Sequence, residues 1–135
     1  MVTAFDSARV PAGMTVNSFT SLSLEPPLVS VAIARDASAW EALSTAQQWT
    51  VNLLGADQEV IARRFAGVAN GRFDGTQWSE VDGHLILHDT IAHLCCSTWG
   101  RMDVGDHLLL IGEVVAGSFG GAGAPLIFYR GGYSA

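Results

Sequence analysis

The sequence predicts a mainly β domain, an antiparallel sheet or barrel of about six strands with two short helices set early in the chain. Short apolar runs bounded by turn residues recur along the chain, and from Leu85 onward no helical segment separates them. Consecutive strands without long crossovers pair antiparallel. The length sets the scale: 135 residues make one domain, able to bury roughly 65–70% of the surface its unfolded chain exposes.

Residues 2–4 read as the end of a strand, followed by a turn over 6–11. Residues 13–34 begin with hydroxyl and amide side chains and end in a nearly continuous apolar run from Leu28 to Ala34. Pro26 and Pro27 separate the two halves, because proline cannot donate to a sheet ladder. The stretch therefore predicts strand, Pro-Pro turn and a second strand buried on both faces. Over residues 36–48, Ala39, Trp40 and Leu43 recur at helical spacing and predict a helix of about three turns that Asp36 or Ser38 caps. Residues 50–54 (TVNLL) are a strand, and Asp57 opens a second helix with Val60, Ile61 and Phe65 on its apolar side and Gly67 as its stop. Residues 69–83 predict a loop holding Phe73 and Trp78. Strands follow at 85–87, 91–99, 106–116 and 126–133, with a loose glycine and alanine loop over 117–123.

Composition bounds the partners. The formal net charge is −6, and all seven basic residues are arginines. That excludes a nucleic-acid partner, since a phosphate backbone demands a basic face. A small phosphate-bearing ligand remains compatible, held by one arginine fork or a set of backbone N–H groups. At 49% hydrophobic and 15% charged the chain is apolar for its size, which predicts a buried subunit interface and hence an oligomer. Cys95 and Cys96 are adjacent, so a mutual disulfide would be strained; both are expected reduced, one of them as core filler. With no secretory leader at the start and no apolar run near the ~20 residues that cross a bilayer, a cytoplasmic protein off the membrane is expected. His84, His88 and His93 show no metal-ligand spacing, and no metal site is expected.

Several segments taken in order resemble one family. The run GMTVNSFTSLSLEPPLVSVAIARDASAWEAL is similar to the signature region of flavin reductases that supply reduced flavin to two-component monooxygenases. So are the strand from Val51 to Leu54, the helix with Arg64, Phe65, Ala66 and Gly67, and the turn Gly105-Asp106-His107 leading into a strand ending Gly112-Glu113-Val114. The closing segment from Pro125 to Gly131 matches too. The resemblance covers nearly the whole chain, as a single domain over residues 1–135. It implies a six-stranded antiparallel split β-barrel (Greek key, FMN-binding split barrel) with two or three short helices. It also implies non-covalent FMN, or in some members FAD, in a groove at a homodimer interface. NADH or NADPH would reduce that flavin, which would pass to an oxygenase component. Family members carry a helix and a full first strand before the segment that here begins at Met1, so that helix is expected to be absent.

Under that resemblance, the candidate cofactor donors are Asn17, Ser18, Thr20 and Ser21 on the strand before Pro26. Strand alternation would place Asn17, Phe19 and Ser21 on one face and Ser18 and Thr20 on the other. The loop from Ala34 through Arg35 to Ser38, entering a helix, is the phosphate candidate, although only Ser38 keeps a hydroxyl and Asp36 would repel an anion. Arg64, with Phe65 beside it, would add counter-charge, while its neighbour Arg63 reads as solvated. His107 and Tyr133 fall on the nicotinamide side, His107 being equally readable as a turn histidine bonded to Asp106. Hydride transfer needs no protein nucleophile, and no catalytic residue is assigned; no G-x-S-x-G elbow occurs. The competing readings are a flavin-binding or electron-carrier protein without turnover, and, more weakly, a related barrel for deazaflavin or for haem with His93 as axial ligand.

Overall fold

A computed structural model describes residues 1–67 and 71–134; Ala69 and Asn70, at the start of the expected 69–83 loop, lie outside them. The strands are β1 (Val2–Phe5), β2 (Pro11–Met14), β3 (Thr20–Leu24), β4 (Pro27–Ala34) and β5 (Gln48–Leu53). They continue with β6 (Trp78–Val81), β7 (His84–Leu87), β8 (Ala92–Val104), β9 (His107–Phe119), β10 (Ile127–Tyr129) and β11 (Gly132–Ser134). The helices are α1 (Trp40–Thr45) and α2 (Glu59–Ala66), the latter entered through a 3-10 turn at Ala56–Gln58. None of the described helices is long and apolar enough to cross a membrane.

Seven strands form one antiparallel sheet in the order β2-β1-β5-β8-β9-β4-β3, and β6-β7 and β10-β11 are separate hairpins. The mainly β antiparallel class thus stands, with more strands than the sequence suggested. The sheet is strongly curled. Strands β1 and β4 stand four places apart, which in a flat sheet is roughly 19 Å. Yet Val2 and Ala4 of β1 share one buried cluster with Val29, Val31 and Ile33 of β4, around Trp49 of β5 and Leu110 of β9. Helix α1 packs on both β1 and β4, and its Leu43 fills the same core. A second cluster, with Leu54, Ala62, Phe65, Leu85 and Leu87, holds α2 and the β6-β7 hairpin to the other side.

Two β-bulges shape the long β8-β9 ribbon, an extra residue at Val115 on β9 and another at Trp99 on β8. The first shift falls between Cys95 and Cys96, and both thiols are buried and free, so both fill core rather than one. Burial pushes the Cys96 thiol up to about 12 and raises that of Cys95, to which the charge of Asp82 adds.

Several expectations are corrected. The helix over 36–48 shrinks to six residues, with Ala39 at its N-cap and no side-chain cap from Asp36 or Ser38. In α2 the expected Phe65 is buried and Ile61 packs against the same cluster, joined by Ala62, while Val60 is 69% exposed and does not belong to the apolar side. Strand β6 lies inside the expected 69–83 loop and closes on β7 through Asp82 and Gly83, both at positive φ. The expected last strand is a hairpin, folded back at Arg130 and Gly131, again both at positive φ. Residues 15–19, expected on a strand, are irregular chain between β2 and β3. The alternation argument for Asn17, Ser18 and Phe19 therefore fails.

Candidate functional site

That irregular segment builds one wall of the main cleft. At its start Thr15 is tied to α2: its N–H donates to the Phe65 carbonyl at 3.4 Å and its hydroxyl to the Ala62 carbonyl at 2.7 Å. At its end Ser18 is tied to β4, its Oγ accepting from the Ala32 N–H at 3.0 Å and donating to the Ala32 carbonyl at 3.1 Å. One hydroxyl thus stands in for a strand partner at the edge of β4. Three residues of extended chain, roughly 10 Å, separate these anchors, so α2 and β4 are held apart with a cleft between them.

The cleft has a volume of about 800 Å³, within the range of small-molecule sites. One side is made by Asn17, Ser18, Phe19, Ala32, Ala34 and His107, the other by Arg63, Gly67, Leu126, Phe128 and Tyr133. Its floor includes Val51, Asn52 and Leu53 of β5. The β10-β11 hairpin reaches the cleft on a stem whose Leu126 N–H donates to the Leu54 carbonyl and whose Ala124 carbonyl accepts from Ala56 N–H, both at 2.9 Å. Its Phe128 and Tyr133 rings lie 5.1 Å apart.

His107 opens β9 opposite Ala34. Its Nδ1 lies 2.7 Å from Asp106 Oδ1. The hydrogen bond from His107 and its charge hold the Asp106 carboxyl below its ordinary range. An ionised carboxylate can only accept, so Nδ1 carries the proton and donates, and in the neutral ring Nε2 is left as the acceptor.

Within one chain the structure brings five of the expected site residues to the cleft: Asn17, Ser18, Ala34, His107 and Tyr133. The others point elsewhere. Thr20 and Ser21 are exposed on edge strand β3. Arg35 pairs with Asp103 at 2.7 Å and lies over the Trp40 ring. Ser38 lines a separate small hollow with Asp6, Arg72 and Phe73. Arg64 donates to the Asp74 carbonyl at 2.8 Å and to Thr76 Oγ1 at 2.9 Å, and Phe65 is fully buried edge-on against Phe73. The phosphate expectation at residues 34–38 also loses its helix, because α1 starts only at Trp40 and is under two turns long.

The sequence reading missed Thr15, Arg63, Leu126 and Phe128. Arg63 carried a readable signal: it lies four residues after Glu59 on one helix face, and a residue step of about 100° separates it from Arg64. The hairpin aromatics carried none short of recognising the Arg130-Gly131 turn.

Over residues 1–135 the chain matches the flavin reductase like domain. The chain belongs to the flavin reductase family. An NADH:FMN oxidoreductase of Rhodococcus qingshengii is 40% identical over 98% of this chain and 72% of its own length. Among solved structures, Streptomyces globisporus NADH:FAD oxidoreductase SgcE6, in complex with NAD and FAD fragments, superposes with a TM-score of 0.91 at 34% identity, covering 99% of this chain and 81% of that one. The reductase subunit Stc3 of stachydrine N-demethylase from Rhizobium meliloti (strain 1021) is 35% identical over 100% of this chain. This flavin reductase family chain spans 59% of Stc3, and 43% of another Rhizobium meliloti relative.

Proposed function

We propose that this chain is an NAD(P)H-dependent flavin reductase that binds FMN non-covalently in the cleft and supplies reduced flavin to a partner monooxygenase. The observation that carries the reading is the cleft itself. It is mostly apolar, carries hydroxyl and amide groups at Asn17 and Ser18, and has no carboxylate among its lining residues. Those features suit a planar ring with an anionic tail. A relative named NADH:FMN oxidoreductase supports the chemistry, and one named reductase subunit HsaB of a flavin-dependent monooxygenase supports the monooxygenase partner. SgcE6, named for FAD, keeps the larger flavin as an alternative ligand.

Bound flavin supplies the hydride acceptor, and the nicotinamide supplies the hydride. The chain contributes position and dryness. Ser18 fixes the 15–19 wall, Ala34 keeps the β4 edge open to a ring, and His107, its ring set by Asp106, offers Nε2 toward the nicotinamide carboxamide. Tyr133 closes the cleft from the hairpin. We read residues 1–135 as one domain and the curled seven-stranded sheet as the family's split barrel, the split falling between edge strands β2 and β3.

The test is anaerobic mixing with FMN and NADH, following loss of the oxidised-flavin band. Catalytic bleaching is expected, with His107→Ala lowering kcat/KM for NADH about tenfold while the flavin Kd stays within twofold. Flavin binding without bleaching would replace the enzyme by a carrier.

The functional unit is read as a homodimer. Exposed apolar side chains occur on the adjacent strands β8 and β9 and on the edge strand β3, with Leu24 90% and Phe119 81% exposed. A second copy would cover a surface this apolar. Sedimentation should give twice the 14.3 kDa chain mass, and Phe119→Glu should yield monomer. A wild-type monomer at micromolar concentration would remove the dimer.

A further inference from the structure

We propose that Arg63 is the anion-holding residue of the cleft, gripping a phosphate ester of the nucleotide bound there. The assignment rests on the flavin reductase reading and goes beyond it by naming the group that meets the ligand's charge. The chain carries a formal charge of −6, yet no Asp or Glu lines the cleft, and Arg63 is its sole Lys or Arg among the described residues. An acidic protein has kept carboxylates away from one large concave surface and placed a guanidinium there.

That guanidinium is set before any ligand arrives. Its Nε donates to Glu59 Oε1 at 2.7 Å, and Nη2 lies at the same distance from the same oxygen, one helical turn back. Its carbon lies 5.0 Å from the centroid of the Tyr133 ring, within cation–π range. Glu59 itself does not line the cleft. With Nε and one edge of Nη2 engaged, Nη1 donates to no acceptor among the described residues. Arginine carries five donors in a planar fork, so one edge remains for a phosphate oxygen. Arg64 does not line the cleft, and its Nη1 donates instead to the Asp74 carbonyl and Thr76 Oγ1.

The side chain of Arg63 is 62% exposed, which places it at the cleft mouth, where water screens charge. The expected effect is therefore a tenfold change rather than a thousandfold one. The shared chemistry is a phosphate ester, carried either by FMN or by the nicotinamide dinucleotide.

The experiment compares FMN with riboflavin, which lacks the phosphate, in the wild type, Arg63→Gln and Arg63→Lys. Arg63→Gln should weaken FMN about tenfold and leave riboflavin within twofold, with Arg63→Lys recovering part of the loss. Unchanged flavin affinities with a tenfold higher KM for NADH would place the phosphate on the dinucleotide and sustain the assignment. Equal losses for FMN and riboflavin would mean that Arg63 acts by propping Tyr133, and would overturn it, as would no change in any of the three quantities. A wild type that binds neither flavin would instead sink the reductase reading. Inorganic pyrophosphate then decides: it should raise the Tm of the wild type and not of Arg63→Gln, and equal responses overturn the proposal.

Discussion

Asn52→Leu is expected to unfold about 10 °C below the wild type, a loss of about 2–4 kcal/mol. Asn52 is fully buried in the middle of β5, where an amide looks out of place. It works as a junction. Its Nδ2 donates to Thr3 Oγ1 at 2.9 Å, and its Oδ1 accepts from the Leu87 N–H at 3.0 Å. Thr3 Oγ1 in turn donates to the Leu85 carbonyl at 2.6 Å. The β6-β7 hairpin has no ladder to the main sheet, and these side-chain bonds meet its inner edge instead. Leucine keeps the branched outline of four heavy atoms but strands the Leu87 N–H without an acceptor in a dry place, and an unmet buried donor costs more than the mean value of a bond. Amide exchange at Leu87 should accelerate in the variant well beyond that at Val31. Thr3→Val combined with Asn52→Leu should cost less than the two single changes added, because they share one network. A Tm within 2 °C of wild type for Asn52→Leu would show that the hairpin is held by its apolar contacts alone.

This junction was illegible in the sequence, and the reason is general. Periodicity reports which face a residue occupies, and it placed β4, β5 and α2 in the chain because each buries apolar side chains at a regular spacing. Asn52 breaks such a set, and only the distant Leu87 explains it. The 15–19 segment failed in the opposite way. Its residues look like a strand continuing into β3, but Ser18 bonds to β4 through its side chain and leaves the ladder there. The polar residues that drew attention to the segment are the ones that end its strand character. Of the residues the family resemblance singled out, Asn17, Ser18, Ala34, His107 and Tyr133 line one cleft. Arg63, which also lines the cleft, was not singled out because sequence places two arginines side by side, and only the helical phase tells them apart.

Gly112→Ala is expected to lower the urea midpoint by an amount equivalent to about 3 kcal/mol, although it adds a single methyl to a residue in regular strand. Gly112 pairs with Val29 of β4 and with Thr98 of β8, so it sits centrally in the sheet. A Cβ there would lie 2.4 Å from Trp49 Cζ2 and 2.9 Å from Cys96 Cβ. Neither neighbour can step aside cheaply. Trp49 is fully buried, and its Nε1 donates to Thr98 Oγ1 at 3.1 Å, while that hydroxyl donates onward to the Ala46 carbonyl at 2.8 Å. Turning the indole to admit a methyl would break this chain and reopen a core packed close to crystal density. The glycine within the Gly112-Glu113-Val114 motif is thus explained by a ring on β5 that lies across it, with no turn or positive φ involved. Shortening the ring separates this cause from any intrinsic weakness of the strand. In a Trp49→Phe background, Gly112→Ala should cost at least 1 kcal/mol less than in the wild type, as expected for residues in direct contact. Equal costs in both backgrounds would mean that the clash is absorbed by the backbone of β9 and that Trp49 is not what holds this position to glycine.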